Sequence, residues 1–135
     1  MDCLFCKIIA GEIPSDKVYE DDTVFAFLDL HPLNIGHTLV VPKAHAANLY
    51  DTPDETLSNI ATVIKKLSIA IKSTQSADGI NIEMNNDPAA GQIIFHAHIH
   101  IIPRFSGDGF IHWNGVRGNN DREMAEVAKK ISSAL

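Results

Sequence analysis

The segment Phe95-His-Ala-His-Ile-His-Ile-Ile-Pro-Arg104 carries a histidine at every second position, with apolar residues between. Alternation with a period of two predicts a β-strand, because successive side chains of a strand point to opposite faces. One face of this strand would then present a row of three imidazoles, roughly 13–14 Å long. The three residues are His96, His98 and His100. The opposite face, with Ala97, Ile99 and Ile101, is expected to enter a core.

This row of imidazoles is compatible with three uses. It can be the exposed polar face of an edge strand, although the strongly apolar flanks argue against that use. It can bind a metal, but each Zn–N bond is only about 2.0–2.1 Å long, so at most one or two of the rings can share an ion. It can also carry out chemistry on a phosphate, since neutral imidazole attacks phosphorus and a neighbouring imidazole can donate a proton. We favour phosphate chemistry.

The remaining pattern predicts an α+β domain over residues 1–135, with a mainly antiparallel five-stranded sheet covered by helices. The predicted elements are a short helix over 4–10, strands over 17–19, 23–30 and 37–41, a long helix from 52, a strand over 80–85, the histidine strand over 95–103, and a final helix capped within Asn119-Asn-Asp121. A loop and this last helix occupy residues 105–135.

The long helix has a strong start signal in Thr52-Pro-Asp-Glu55, with Thr52 as the N-cap and Glu55 completing a capping box. Apolar residues then recur at helical spacing and form one stripe for packing on a sheet. They are Leu57, Ile60, Ala61, Ile64, Leu67 and Ile71. The final helix has a shorter stripe of Met124, Val127, Ala128 and Ile131.

The composition of the chain limits the partners and the location that we expect for this protein. The net charge of −6 over 135 residues provides no broad basic face, so a nucleic-acid polymer is not an expected partner. Apolar runs fall far short of the ~20 residues that cross a bilayer, so no membrane association is expected. Asp2 and the absence of a basic n-region do not fit a secretory signal, and two cysteines are too few for a disulfide framework. We therefore expect a cytoplasmic protein.

The pair Cys3-x-x-Cys6 has three interpretations. A redox pair usually follows a strand in a βαβ unit, and only two residues precede Cys3 here. Two thiols at helical spacing can also be simply buried. The third interpretation is half of a tetrahedral zinc site, which needs two more ligands, and histidine often provides them in cytosolic proteins.

Several further motifs accompany the histidine run. They are Cys3-Leu-Phe-Cys6-Lys-Ile-Ile-Ala-Gly-Glu-Ile-Pro14, Tyr19-Glu-Asp-Asp22, Phe27-Leu-Asp29 with Pro32, Gly36-His-Thr-Leu-Val-Val-Pro-Lys43, and Ala90-Gly-Gln92. Together with the run His-φ-His-φ-His-φ-φ, where φ is apolar, they span residues 3 to about 104. Their order and spacing resemble the histidine triad family, above all its nucleoside phosphoramidate hydrolases and their bacterial relatives.

The resemblance implies an enzyme that hydrolyses purine nucleoside 5′-phosphoramidates or related nucleoside monophosphate conjugates. It implies that His98 attacks the α-phosphorus and forms a nucleotidyl-histidine intermediate, which water then cleaves. His100 would bond the phosphate oxygen or leaving group, and His37 would help to orient the row. A dinucleoside polyphosphate hydrolase is the alternative among enzymes. From other classes, the alternatives are a nucleotide-binding scaffold with residual catalysis and a zinc-stabilised domain without a small ligand.

The resemblance also assigns the binding residues. Asn85, Gly91 and Gln92, with backbone amides, would form the phosphate site. The expected nucleoside walls are Phe5, Ile8, Phe27 and Leu28, and Asp29 would accept hydrogen bonds from ribose hydroxyls. The aromatic residues could equally be ordinary core, and Asp29 and His31 could simply belong to a turn. Ile93 stands where eukaryotic phosphoramidases carry a serine, so a hydroxyl that could serve the phosphate or the departing amine is absent.

Two expectations concern the metal and the assembly. Cys3, Cys6, His45 and His96 match positions that bind zinc in similar bacterial members, which implies a closed structural ion. This assignment splits the histidine row, since His96 would bind metal while His98 and His100 do chemistry. No organic cofactor is expected. The family resemblance further implies a homodimer formed through the long helix and an adjoining strand.

Overall fold

The protein is described by a computed structural model for residues 2–116 and 120–135. Its regular elements are α1 (Leu4–Ile9), β1 (Lys17–Glu20), β2 (Val24–Leu28), β3 (Thr38–Pro42), α2 (Asp54–Thr74), β4 (Gly79–Glu83), β5 (Ile99–Arg104) and α3 (Asp121–Ser133). Short 3₁₀ turns lie at Leu49–Asp51 and Pro88–Ala90. No helix among the described residues is long and apolar enough to cross a membrane.

The five strands form one sheet in the order β1-β2-β3-β5-β4, and every neighbouring pair is antiparallel. This is the α+β arrangement that the sequence predicted. The register places Phe27 opposite Leu39, and Leu39 opposite His100. Because directly opposed residues share a face, these three side chains lie on the same side of the sheet.

Two apolar cores cover the two faces of the sheet. One packs Ile60, Val63, Leu67 and Ile71 of α2 against Val24, Ala26, Val40, Ile99 and Ile101 of the strands. The other packs Cys3, Phe5 and Ile8 of the α1 region against Phe25, Phe27, Leu39 and Val41. The short helix α1 therefore covers the face that carries His100. Each fully buried Val, Leu, Ile or Phe side chain of these cores contributes about 1.5–3 kcal/mol to folding relative to an exposed one.

The histidine strand is shorter than its alternation predicted. The strand β5 begins at Ile99, and its last ladder pair with β3 joins Ile99 to Val40. Before it the chain bends, and the Ala97 amide donates instead to the carbonyl of Ala46 at 2.7 Å. The prediction of a strand from residue 95 was therefore wrong: His96 and His98 precede the strand, and His96 turns away from the other two rings toward the thiols of Cys3 and Cys6.

The start of the long helix also differs from the prediction. It begins at Asp54, and the capping position is Pro53, which makes no side-chain capping bond. The hydroxyl of Thr52 donates to the Asn48 carbonyl at 2.8 Å, so it closes the preceding 3₁₀ turn and does not cap the helix. The capping box was thus a wrong prediction. The buried stripe includes Val63, which we did not predict, whereas Ala61 is exposed.

The last helix is capped by Asn120, whose side-chain oxygen accepts from the Glu123 amide at 2.7 Å. Asn119, the other predicted cap, lies outside the described residues. The predicted apolar stripe of α3 is exposed, with Met124 at 55%, Val127 at 44% and Ile131 at 62%. Among the described residues, α2 therefore packs its apolar stripe into a core, whereas α3 leaves its apolar stripe exposed.

Candidate active site

A cavity of about 400 Å³ opens between α1 and the chain that precedes β5. Its volume lies in the range of about 300–1,000 Å³ that is typical of small-molecule sites. Residues of α1, β2, β3 and β5 and of the loops after β2 and β4 line it. They are Leu4, Phe5, Ile8, Phe27, Asp29, Leu30, His31, Leu39, Asn85, Gly91, Ile93, Ile94, His98 and His100.

The ring of His98 is fixed by a backbone carbonyl. Its Nδ1 lies 2.7 Å from the carbonyl oxygen of His96. Because a carbonyl oxygen can only accept, Nδ1 must carry the hydrogen and donate it. Nε2 of the neutral ring then holds the lone pair. His98 is 8% exposed and lines the cavity, so this nitrogen is an available nucleophile in a largely desolvated wall.

The tautomers of His37 and His100 follow in the same way. The Leu33 amide donates to Nδ1 of His37 at 3.0 Å, which leaves the hydrogen of a neutral ring on Nε2. That Nε2–H donates to Nδ1 of His100 at 2.8 Å. The Nε2 of His100 consequently carries a hydrogen as well. His100 lines the cavity, so the chain of bonds presents a donor beside the lone pair of His98, whose ring centroid is 5.2 Å away.

Burial keeps these two rings neutral. Burial, followed by the neighbouring His98 and His37, lowers the pKa of His100 to about 4, against a weaker opposing effect of Asp29. Burial also lowers the pKa of His37, although Asp29 and Glu83 partly oppose this. The Oδ2 of Asp29 lies 3.6 Å from Nε2 of His37, and with a neutral ring this contact is not an ion pair.

Asp29, His37 and His100 also lie close enough together to suggest a second metal site. The hydrogen bonds argue against it. A metal at Nε2 of His37 would require the hydrogen on Nδ1, and Nδ1 faces the donating amide of Leu33. The same Nε2 already donates to His100. These three residues are therefore better suited to moving protons and orienting rings than to holding an ion.

The predicted phosphate residues occupy different positions. Asn85 and Gly91 line the cavity, and Gly91 has φ +92°, a conformation that favours glycine. Gln92 does not line the cavity, and its side chain is fully used within the loop. Its Oε1 accepts from the Asp87 amide at 2.9 Å, while its Nε2 donates to the carbonyls of Ala47 and Ile94 at 2.6 and 3.0 Å. The side chain of Gln92 thus supports the loop beneath the cavity.

The predicted nucleoside residues are mostly brought together. Phe5, Ile8, Phe27 and Asp29 line the cavity, whereas Leu28 does not. Adjacent strand residues point to opposite faces, which directs Leu28 away from Phe27 and the cavity. Asp29 also closes a turn, because its Oδ1 accepts from the His31 amide at 2.9 Å. Its Oδ2 faces His37 at 3.6 Å.

The sequence reasoning missed four apolar cavity residues, Leu4, Leu30, Leu39 and Ile94. Leu39 could have been found from the strand register, because it is opposite both Phe27 and His100. Leu4 could have been found from the helical spacing, since it is four residues before Ile8 and adjoins Phe5. No periodic signal in the sequence identifies Ile94.

A second group of side chains lies beside the cavity, and we call it the thiol–histidine cluster. It contains Cys3, Cys6, His45 and His96, whose ligand atoms all lie within 4.8 Å of one another. Nδ1 of His96 is 3.4 Å from Sγ of Cys3 and 3.5 Å from Sγ of Cys6, and Nδ1 of His45 is 3.4 Å from Sγ of Cys6. Three segments distant in sequence meet here.

The cluster has the dimensions of a tetrahedral metal site. In such a site the sulfur lies about 2.3 Å and the nitrogen about 2.0–2.1 Å from zinc, which separates them by about 3.5 Å. The observed separations match this value. The Nε2–H of His96 donates to the Pro42 carbonyl at 2.8 Å, so Nδ1 is left as the ligand atom. Burial and the adjacent Cys3 raise the pKa of the Cys6 thiol, and a cation would reverse that effect.

Comparison with known proteins agrees with this arrangement. The family model of the HIT domain matches residues 10–107. A crystal structure of a HIT family member from Bacillus subtilis superimposes with a TM-score of 0.94 at 40% identity, covering 100% of this chain and 98% of the other. A Zn-bound histidine triad family protein from Mycobacterium smegmatis superimposes with a TM-score of 0.77 at 36% identity, covering 100% and 99%.

Among curated proteins, adenylylsulfatase HINT3 of Arabidopsis thaliana is 47% identical over 107 residues. The match covers 79% of this chain and 54% of that protein. The matched HIT domain model spans 98 residues of this chain, from the end of α1 to the turn after β5, and it includes the five imidazoles of the two groups described above, His37, His45, His96, His98 and His100. The chain therefore belongs to the HIT family.

Proposed function

We propose that the protein is a nucleotide hydrolase that cleaves purine nucleoside 5′-phosphoramidates, or related nucleoside monophosphate conjugates, through a nucleotidyl-histidine intermediate. The observation that carries this proposal is the bond from Nδ1 of His98 to the His96 carbonyl. It makes Nε2 the nucleophilic nitrogen of a ring that lines a cavity of suitable volume.

In the first step, the lone pair on Nε2 of His98 attacks the α-phosphorus and a P–N bond to the histidine forms. The bond from phosphorus to the leaving nitrogen breaks, and its electron pair leaves with the amine. The amine takes up a proton from solvent, while the Nε2–H of the neutral His100 ring donates a hydrogen bond to the phosphate oxygen or the leaving group. His37 acts as a positioning residue, because its own Nε2–H holds His100 in the tautomer that donates.

In the second step, water attacks the same phosphorus, and the bond to His98 breaks. The nucleoside monophosphate leaves, and the electron pair returns to Nε2. One proton of the water stays on the phosphate and the other returns to solvent, so both rings regain their starting states. Dividing the substitution in this way gives each half a good nucleophile and a good leaving group.

The binding residues form an apolar region for one end of the substrate and a polar region for its centre. Phe5, Ile8 and Phe27 would contact the base, and Asp29 would accept from the ribose. Asn85, the Gly91 backbone and neighbouring amides would contact the phosphate. Gln92, whose buried side chain makes three internal hydrogen bonds, would hold that loop in place without touching the substrate through its side chain.

The leaving group is the least constrained part of the substrate. Ile93 is 86% exposed at the cavity rim, so no side-chain hydroxyl is offered there to a departing amine. The related adenylylsulfatase of Arabidopsis, by its name, acts on an adenylyl conjugate of sulfate. This relative supports the wider class of nucleoside monophosphate conjugates beside the phosphoramidates.

Turnover of three substrates would test the proposal: an adenosine 5′-phosphoramidate, adenylyl sulfate and a diadenosine polyphosphate. We expect one of the first two to give the highest kcat/KM, with the nucleoside monophosphate as product. A higher value for the diadenosine polyphosphate would favour the rival hydrolase. Binding of adenosine monophosphate without turnover of any of the three would favour a scaffold module.

We also propose zinc as the ion of the thiol–histidine cluster. The support is the match of its S···N separations to a tetrahedral site, together with the Zn-bound relative from Mycobacterium smegmatis. With four protein ligands the ion would be structural and would leave no position open for substrate. Metal analysis of freshly purified protein, alongside Cys3→Ser and Cys6→Ser, tests this: about one zinc per chain is expected only in the wild type.

A homodimer is part of the same proposal. The strand β4 lies at the edge of the sheet, and its Ile82 is 49% exposed. Ile69 of the adjacent helix α2 is 64% exposed. An unpaired edge beside exposed apolar side chains is suited to pairing with a second copy. Sedimentation equilibrium should give twice the chain mass, and Ile82→Lys should shift it toward the monomer.

A further inference from the structure

We propose that the thiol–histidine cluster positions the nucleophile, so that Cys3, Cys6 and His45 are positioning residues for His98 as well as metal ligands. This inference rests on the function proposed above and concerns how its nucleophile is held. It follows from two physical connections between the cluster and the ring of His98, one through the main chain and one through an aromatic side chain.

The first connection is His96, which belongs to both groups. Its ring contributes Nδ1 to the cluster, and its carbonyl oxygen accepts the hydrogen of His98 Nδ1 at 2.7 Å. The bond to this carbonyl selects the tautomer of His98 and therefore the nitrogen that attacks. Any rotation of the His96 peptide would weaken that bond and turn the nucleophilic nitrogen away from its direction.

The peptide of His96 is not held by the sheet. The ladder between β3 and β5 ends at Ile99, three residues further along the chain. Nearby anchors are the Ala97 amide bond to the Ala46 carbonyl and the Nε2–H bond from His96 to the Pro42 carbonyl. The remaining anchor is Nδ1 of His96 at the two thiols. Fixing both ring nitrogens prevents the imidazole from rotating, and the adjoining carbonyl is restrained with it.

The second connection is Phe5, which lies on α1 between the two cysteines. Its ring meets those of His96 and His98 edge-on, with centroid distances of 5.9 and 5.2 Å, and it is 3% exposed. A helix of six residues is not stable without tertiary contacts. Tying both its cysteines to His45 and His96 would hold Phe5 against the nucleophilic ring and the cavity wall.

The cluster therefore has the right position to influence the reaction without touching substrate. Zinc, when bound, would hold its four ligands in a fixed tetrahedral arrangement. His96 and Phe5 would then pass this restraint on to the ring of His98. Losing the ion would leave the ring of His96 and the helix α1 less restrained. Because a displacement of about 1 Å at a reacting group can cost about 100-fold in rate, a small loss of restraint is expected to be visible in kcat.

The test uses the intact zinc-loaded protein and a pair of substitutions at His45, whose side chain is exposed and whose loss should not prevent folding. His45→Ala removes a ligand, and His45→Cys restores one. The control is Ile9→Ala, which removes packing from the same helix although Ile9 is neither a proposed metal ligand nor part of the cavity lining. Cys6→Ser provides a second ligand deletion at a different element.

We would measure bound zinc, the NMR resonance and solvent exchange of the His98 Nδ1–H, the affinity for adenosine monophosphate, and single-turnover kinetics. In His45→Ala we expect zinc to be lost, the Nδ1–H to exchange faster, and kcat to fall about 10-fold to 100-fold, with KM changing less. His45→Cys should recover all of these values. Ile9→Ala should lower the melting temperature while the His98 resonance and kcat stay near wild type.

The inference would be overturned if zinc-free His45→Ala and Cys6→Ser kept the wild-type His98 resonance and single-turnover rate. It would also be overturned if Ile9→Ala reproduced their effect, because general destabilisation would then explain it. These results are distinguishable from failure of the proposed function. If the wild type transfers no nucleotide to His98, the function fails, while the Nδ1–H resonance still reports whether the cluster positions the ring.

Discussion

His96 and His98 stand two residues apart, yet the fold uses opposite nitrogens of their rings. His96 donates through Nε2 to the Pro42 carbonyl and directs Nδ1 at two thiols. His98 donates through Nδ1 to the His96 carbonyl, which leaves Nε2 at the cavity. In both cases a backbone acceptor decides which nitrogen keeps its lone pair. The same side chain thereby suits the proposed metal ligand in one place and the proposed nucleophile in the other.

The surroundings reinforce this division. Two soft thiols and a second imidazole surround the lone pair of His96, a set that suits zinc. The group formed by His37, His98 and His100, which we call the imidazole cluster, offers no thiol, and its rings bond to one another and to the backbone. Substitutions that affect one cluster more than the other can therefore test the distinction.

The largest effect is expected for His98→Ala. It removes the proposed nucleophile, and turnover should fall by a factor on the order of 10⁴ or more, as for other enzymes that lose a nucleophile. Zinc content should stay at the wild-type level, because His98 is not a ligand. Steady-state kinetics measures the turnover, and metal analysis of the same preparation measures the zinc content. The matched control is His112→Ala, since His112 is exposed. Retention of full turnover would contradict the role given to this ring.

Metal removal should act mainly on the other cluster. With free zinc at a thousandfold excess over Kd, binding to the folded state alone stabilises it by about 4 kcal/mol, and a chelator should abolish that gain. Thermal unfolding with and without chelator measures it. Cys3→Ser should unfold at the same temperature in both conditions. If the chelator did not change the melting temperature of the wild type, the proposed structural role of the ion would be contradicted.

An intermediate effect is expected at His37, where two substitutions separate bonding from packing. His37→Leu removes the donor to His100, and kcat should fall about 10-fold to 100-fold because the His100 tautomer is no longer fixed. His37→Gln can still donate from a similar position and should retain more activity. Nitrogen NMR of His100 should report a mixture of tautomers only in the leucine variant. Equal kinetics for the two variants would refute the orienting role of this bond.

The smallest effect concerns pH. The folded pKa of His100 is about 4, against an ordinary value of 6.5. Between these values the unfolded chain binds a proton that the folded chain does not, so stability should fall as pH falls through this window. His100→Asn should flatten the dependence measured by thermal unfolding between pH 6.5 and 4.5, whereas His112→Gln should leave it unchanged. An unaltered slope in His100→Asn would show that burial does not keep this ring neutral.

The comparison also shows which features the sequence could predict. Alternation and helical spacing identified all five strands and the long and terminal helices, since these elements bury one regular face. The same alternation was misleading at Phe95–His98, where loop contacts to Pro42 and Ala46 replace the ladder. Such contacts join positions far apart in sequence and produce no local period.

The candidate site divides in the same way. Residue types and family positions predicted the group of four cysteine and histidine residues and most of the cavity wall. They did not distinguish Gln92, whose buried amide is occupied by loop atoms, from a side chain that faces the cavity. They also did not distinguish Leu28 from Phe27, because that choice depends on which face of β2 is covered. Sequence pattern predicted which residue types meet at the site, while the direction of their hydrogen bonds required the fold.

The most direct test is rapid-quench mass spectrometry of the intact protein mixed with an adenosine 5′-phosphoramidate. We expect a transient mass increase of one adenylyl group, and peptide mapping should locate it on His98. The same experiment on His98→Ala should show no such species while zinc stays bound. An adduct on another residue, or turnover in which the wild type forms no adduct at all, would contradict the assignment of His98 as the nucleophile.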